Sequence, residues 1–313
     1  MRILVVGAGA LGGYFGGRLA AAGRDVTFLV RPARAEELRG AGLVIHSPHG
    51  DLTLRDVRTV TESALRGSPP FDLILLSCKA YDLDGAMASF APAVGPATLI
   101  LPFLNGMRHI DALRQRFGAQ AVLGGTCGIA ATLNARREIV HLNDLHILTF
   151  GELDGSASGR LRAVSAALGA EGNSAGFIAK ASEQTVREMW KKWVFLATLA
   201  GSTCLFRASI GAIMATPDGA ACLERMFAEC CAIAAHNGFA MNDHYIAASR
   251  ARLLDTGSSM TASMLRDVQS GARVEADHIL GDLIARGGPA QQAPGQPTLL
   301  RIAYSQLKAY ERS

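Results

Sequence analysis

Apolar positions fall along this chain in two textures. Over the first half they form short, nearly unbroken runs: Ile3–Val6, Val26–Val30, Phe71–Cys78, Ala97–Leu104, Val122–Ala131 and His146–Phe150. Runs of that length bounded by Gly, Pro, Asn or charged residues are the pattern of strands buried on both faces, as in a parallel sheet covered by helices. Between the first two runs, Leu11, Tyr14, Phe15, Leu19 and Ala22 recur at helical spacing until Gly23. That stretch reads as strand, glycine turn, helix and strand, a unit of about 30 residues. The segment 44–57, with His46, Ser47, Pro48, His49 and Gly50 near its centre, reads as an inserted hairpin.

After about Ile178 the texture changes to a period of 3.6. Helices are predicted over 183–203, 220–237, 244–254, 261–270, 274–286 and 299–310. Asn237-Gly238 and Gly287-Gly288-Pro289 read as turns, and Gly257-Ser258-Ser259 as the cap of a helix starting near Met260. At 313 residues the chain exceeds the size at which one core stops growing, so the textures are assigned to two domains, 1–180 and 181–313. A doubly wound α/β domain is followed by an all-helical one, and the expected ligand site is the cleft between them.

Composition removes several function classes. Apolar residues are 49% and charged residues 19%, which excludes a disordered polyelectrolyte. A net charge of +4 is spread evenly and aromatics are only 6%, against the basic cluster with interleaved rings that nucleic-acid binding needs. The six cysteines form no Cys-x-x-Cys and pair with no histidine at zinc spacing, so no metal is expected. The run Trp193–Phe206 is fourteen residues, short of the roughly 20 that span a bilayer, and the glycines after Val6 argue against a signal peptide. A cytoplasmic protein with no membrane partner is expected. His141 and His146 lack the companions of a hydrolytic triad.

The densest motif is Gly7-Ala8-Gly9-Ala10-Leu11-Gly12, placed between a strand and a helix. Gly7 allows the tight turn, Gly9 lets the backbone approach a pyrophosphate, and Gly12 lets the helix lie close to the strand. This is the dinucleotide fingerprint of a Rossmann-type sheet. The residue ending the second strand selects the cofactor: an acid holds a ribose 2′-hydroxyl, an arginine a 2′-phosphate. Here it is Arg31, with Arg34 close by and no acid before Glu36, so NADP(H) is expected. Lys79 and Asn105 each lie just past a predicted parallel strand, at the edge where open sheets bind ligands. Of 31 cations only five are lysines, Lys79, Lys180, Lys191, Lys192 and Lys308, which narrows the search for a titratable amine.

With Gly125-Thr126, Ala130-Ala131, Trp190-Lys191-Lys192, the run Ser263–Asp267, Glu275 and Gly281 in this order, the chain resembles the ketopantoate reductase (2-dehydropantoate 2-reductase) family over nearly its whole length. The resemblance implies hydride transfer from NADPH to a 2-oxo acid, with Lys192 as the general acid that also touches substrate. It assigns a cofactor contact to Ala130, gives Glu275 either a contact with the nicotinamide ribose or the orienting of Lys192, assigns the substrate carboxylate to Ser263, and implies a homodimer. The helical pattern is compatible, since Lys192 shares a largely apolar stripe with Phe195, Leu196, Leu199 and Thr203. One departure bears on substrate. The family pattern carries asparagines four and eight residues after the lysine, where this chain has Leu196 and Ala200. Either Thr198, Ser202, Thr203 or Arg207 holds the substrate instead, or the substrate is a more apolar carbonyl compound. A module that senses NADP(H) without turnover is the contrasting reading, and a retained lysine argues against it.

Overall fold

The computed structural model describes residues 1–170, 175–288 and 296–312. They divide into two compact units, Met1–Leu104 with His109–Val186, and Asn105–Arg108 with Arg187–Ser313. In the first, strands β1 (Arg2–Val6), β2 (Asp25–Leu29), β3 (Leu43–His46), β4 (Leu52–Leu54), β5 (Thr59–Val60), β6 (Leu73–Leu76), β7 (Leu99–Pro102), β8 (Gly124–Gly128), β9 (Ala131–Leu133), β10 (Ile139–His141), β11 (Ile147–Gly151) and β12 (Ile178–Ala181) form three sheets. Helices α1 (Ala10–Ala21), α2 (Pro32–Ala41), α3 (Glu62–Leu65), α4 (Leu83–Phe90), α5 (Arg108–Phe117) and α6 (Gly159–Leu168) connect them.

The central sheet is parallel, in the order β5-β2-β1-β6-β7. Its residues Ile3, Leu4, Val5, Leu73, Ile74, Leu75 and Leu76 have no exposure at all, as strands covered on both faces require. The chain leaves β1 in one direction towards β2 and returns on the other side at β6, so the topological switch point lies between β1 and β6. Register pairs Val6 with both Leu29 and Leu76, which sets the C-terminal ends of β1, β2 and β6 level.

The inserted hairpin is present as the antiparallel pair β3–β4. The runs 122–131 and 146–150, expected as further parallel strands, lie elsewhere. The first splits into β8 and β9, and β8 pairs antiparallel with β11 in a sheet of its own. Burial on both faces made these runs apolar, but burial carries no information on strand direction. β5, β9, β10 and β12 are too short or too polar to stand out in the pattern.

The second unit is helical: α7 (Thr185–Phe206), whose first two residues belong to the first unit, α8 (Ile210–Met214), α9 (Gly219–His236), α10 (Asp243–Leu253), α11 (Ser263–Gln269), a π turn Asp277–Gly281 running into α12 (Asp282–Ala285), and α13 (Leu299–Tyr310). Trp193, Val194, Ala197, Cys204, Leu223, Cys230, Leu280 and Leu300 form its buried interior. Gly238 turns the chain at φ +84° as expected, whereas Pro289 lies outside the described residues. The expected cap at 257–259 does not start a helix. Ser258 Oγ accepts from Met260 N–H at 3.2 Å within a turn, and α11 begins at Ser263 with Ala262 at its N-cap.

Among the described residues no helix is long and apolar enough to cross a membrane, and no group of three or more His, Cys, Asp or Glu is placed to hold a metal ion.

Candidate functional site

The glycine loop follows β1 directly. Gly7 adopts φ +90° and its N–H donates to the Leu29 carbonyl at 3.0 Å, tying the turn to the end of β2. A β-carbon added at Gly12 would lie 2.4 Å from the Gly7 carbonyl oxygen and 2.3 Å from Ser77 Oγ, so only glycine lets α1 approach β1 this closely. At Gly7 and Gly9 an added β-carbon would meet nothing within 4 Å: the loop is open on the side where a pyrophosphate needs room. No side chain caps the N-terminus of α1 and no acid lies in its first turn. Its first N–H groups and the positive end of its dipole therefore suit an anion. The residues present fit the diphosphate of a dinucleotide.

Arg31 is exposed two residues past the end of β2, where it forms the N-cap of α2. Arg34 has a different part. Its guanidinium donates to the carbonyls of Ala8 at 3.3 Å and Arg137 at 3.2 Å and pairs with Glu37 at 2.9 Å. Arg34 thus clips the glycine loop to α2, while Arg31 stands exposed at the same edge. Sequence reasoning missed that clip, since its partners lie 26 and 103 positions away.

Lys79 is half-buried three residues past β6, beside the switch point. Asn105 follows β7 by three residues and belongs to the second unit; Gly106 turns the chain there at φ +78°. Ala130 joins β8 to β9 with its main chain engaged: its N–H donates to Asn143 Oδ1 at 2.8 Å and its carbonyl accepts from Leu142 N–H at 2.7 Å. Gly125 has a packing reason, since an added β-carbon would sit 2.2 Å from the Pro102 carbonyl oxygen.

Lys192, Ser263 and Glu275 lie in the second unit with Asn105. Lys192 is half-buried on α7 between two anchored rings. Trp190 stacks on Phe239 with centroids 5.3 Å apart, and Trp193 is 1% exposed and donates its indole N–H to the Ile279 carbonyl at 2.8 Å. Lys191, its neighbour, pairs with Glu188 at 3.1 Å. Ser263 opens α11, and Glu275, 8% exposed, immediately precedes the segment that leads into the π turn. At Gly281 an added β-carbon would lie 3.1 Å from the ring of Tyr304, close enough that the ring would have to shift by a few tenths of an ångström.

Most of the hydroxyls considered as substitutes for the missing asparagines are committed elsewhere. Thr198 and Thr203, both fully buried, donate to the carbonyls of Val194 and Leu199 within α7, and Thr203 Oγ1 also accepts from Ala262 N–H at 3.4 Å. Ser202 is 2% exposed. Leu196 is half-buried, so the face after Lys192 continues apolar.

The profile of the family described as ketopantoate reductase PanE/ApbA matches residues 3–155, and that of its C-terminal part matches residues 184–311. An uncharacterized oxidoreductase of Bacillus subtilis, YkpB, is 36% identical over 312 residues, 99% of each chain. A 2-dehydropantoate 2-reductase of Halobacterium salinarum is 27% identical, covering 91% of this chain and 92% of its own. The crystal structure of a 2-dehydropantoate 2-reductase from Geobacter metallireducens superposes with a TM-score of 0.86 at 27% identity, covering 99% of both chains. The chain belongs to the ketopantoate reductase family of NADP-dependent oxidoreductases acting on CH–OH groups.

Proposed function

We propose that the protein reduces a 2-oxo acid with NADPH, that 2-dehydropantoate, reduced to pantoate for pantothenate synthesis, is the first substrate to try, and that Lys192 is the general acid. The observation that carries the mechanism is the placement of Lys192. It is half-buried on a helix anchored on either side of it in sequence, by Trp190 stacked on Phe239 and by Trp193 bonded to the Ile279 carbonyl. The cofactor would be held by Gly7–Gly12 at its diphosphate, Arg31 at its 2′-phosphate, and Lys79, Asn105, Ala130 and Glu275 along its length. When bound it supplies the hydride that reduces C2. Lys192 binds the carbonyl oxygen through its ammonium, stabilises the negative charge that develops there and delivers the proton that completes the hydroxyl; water then reprotonates the amine. Ser263 donates to the substrate carboxylate.

A second reading of the substrate is favoured by one observation. Leu196 and Ala200 follow Lys192 on α7 while the nearby threonine hydroxyls are bonded within the helix. A substrate held against that face gains more from an apolar side chain than from a hydroxyl. A 2-oxo acid with a plain aliphatic or aromatic side chain is therefore the alternative to 2-dehydropantoate.

The test mixes the protein with NADPH and a panel of 2-oxo acids, with absorbance loss followed for wild type and Lys192→Ala. Turnover should fall at least about a hundredfold in the variant, the scale of a lost general acid. The ranking of 2-dehydropantoate against its deoxy analogue decides between the two substrates. NADPH binding without turnover on any acid would overturn the enzymatic reading, and full turnover by Lys192→Ala would overturn the role of the lysine.

A further inference from the structure

The π turn after Glu275 holds a histidine that the mechanism does not use. His278 is 6% exposed, in the middle of the turn Asp277–Gly281. Turns of this kind interrupt the regular i to i−4 ladder and are frequent at functional sites. Three bonds tie this turn to its neighbours. Ile279 N–H and His278 N–H both reach the Glu275 carbonyl, at 3.0 and 3.2 Å, and the Ile279 carbonyl is taken by the indole of Trp193 at 2.8 Å. The turn is thereby bonded to the residue next to Lys192 on one side and to Glu275 on the other.

Its third attachment is His278 itself. The ring is hydrogen-bonded to the main chain of Asn105. As the bond favours the protonated ring, the ring N–H donates and the Asn105 carbonyl accepts. The following residue is fitted to the same histidine. A β-carbon at Gly106 would lie 2.9 Å from the His278 carbonyl oxygen and 3.1 Å from its ring Cδ2, and Gly106 sits at φ +78°. Asn105–Gly106 is thus a turn shaped around His278, not a bare loop dipeptide.

We propose that His278 is a positioning residue, whose ring N–H fixes the Asn105 main chain and so keeps Asn105, Glu275 and the Lys192 helix in one rigid arrangement for cofactor binding. This rests on the reading above that Asn105 and Glu275 touch the cofactor. Three charged groups face the ring: Asp282, Arg108 and Arg286. Asp282 is paired with Arg286 at 3.1 Å, and the Arg286 guanidinium lies 5.8 Å from the centre of the Trp193 ring. Burial lowers the His278 pKa to about 4, opposed by Asp282 and the bond to Asn105 and reinforced by Arg108 and Arg286. The ring is therefore neutral at working pH, with one N–H to give and no charge to shield. A merely space-filling histidine would not need the donor.

The variants are His278→Leu, which keeps volume and loses the donor, and His278→Gln and His278→Asn, which carry an amide N–H at different reach. Three quantities are measured: KM for NADPH, amide hydrogen exchange of the segment containing residues 105–108, and Tm. His278→Leu should raise both KM and the exchange rate by about tenfold or more, the effect of leaving a buried carbonyl unpaired. One of the amide variants should recover most of both. A fall in Tm for His278→Leu with KM and exchange within twofold of wild type would show a structural role only and overturn the proposal, as would a leucine variant matched by both amides. Should His278→Leu not fold, nitrogen-15 spectra of wild-type histidine at about pH 6 decide: a neutral ring with a slowly exchanging N–H is expected, and a ring titrating near its ordinary value overturns the proposal. Should the wild type show no NADPH turnover, the functional reading fails by itself, and unchanged exchange at 105–108 in His278→Leu still overturns the positioning claim.

Discussion

Two arginines three positions apart show how far a single residue's role can be read from its place in the chain. Arg31 ends the second strand, stands exposed, and is assigned the 2′-phosphate by position. Arg34 looks like its helper in the sequence but is bonded to the Ala8 and Arg137 carbonyls and to Glu37. The two should therefore fail differently. Arg31→Asp places a carboxylate where a phosphate dianion is to bind and should raise KM for NADPH by at least about tenfold, with little change for NADH. Arg34→Ala frees the glycine loop and should weaken both cofactors alike, with a lower Tm. Parallel steady-state titrations with the two nucleotides check this, and an equal effect of Arg31→Asp on both would refute the 2′-phosphate assignment. Strand ends mark Arg31 and Lys79 as candidates, and the family resemblance, among only five lysines, marks Lys192. Arg34 and His278 were not, because what defines them is a contact with main chain far along the sequence.

Elements were legible where burial imposes a period and illegible where it does not. The strand–glycine–helix–strand unit, the inserted hairpin and the long helices follow directly from spacing. The direction of β8 and β11 and the π turn inside the predicted helix 274–286 do not, since a residue can be equally buried in either arrangement. At the start of α1 the fingerprint glycines separate into two kinds by what surrounds them. Gly12 faces backbone and the Ser77 side chain, whereas Gly9 faces open space with an ordinary φ of −83°. Gly12→Ala should therefore cost about 1–3 kcal/mol of stability through overpacking, a fall of roughly 2–4 °C in Tm per kcal/mol. Gly9→Ala should leave Tm unchanged or slightly raised yet weaken NADPH binding by about tenfold or more, because the added methyl blocks the approach of the diphosphate. Calorimetry with a fluorescence titration of each variant separates the two. A large loss of stability in Gly9→Ala would show that the space beside it is not kept for a ligand.

On the scale of the whole molecule, the buried His278 and the half-buried His146 bear on how the fold responds to acid. His146 packs its ring on His49 with centroids 3.7 Å apart and shares a hydrogen bond of 3.0 Å with Tyr14 through Nδ1. Burial first, then His49, His141 and Arg18, lowers its pKa to about 4, the level also reached by His278. A histidine in the unfolded chain takes up its proton near 6.5. Between pH 6.5 and about 4 the unfolded chain therefore binds protons at these two positions that the folded chain refuses, and stability falls as pH is lowered through that window. His46 works in the opposite sense. Hydrogen bonds to Asp51 and Glu138 raise its pKa, so its contribution is present in acid and lost as pH rises through the folded value. The carboxylates of Glu152, bonded to Arg160 and Ser158, and of Asp51, bonded to His46, are held below their ordinary values. Their contribution is lost as pH falls from the unfolded carboxylate values near 4 through the lower folded ones, so they do not account for losses at pH 5 to 6. Denaturant unfolding at pH 7.5 and at about pH 5 should show lower stability at the acid value. His146→Asn, whose amide oxygen can still accept from Tyr14, should lose a measurable part of that difference. An undiminished pH dependence in the variant would place the acid sensitivity elsewhere, with the stacked histidines reduced to packing.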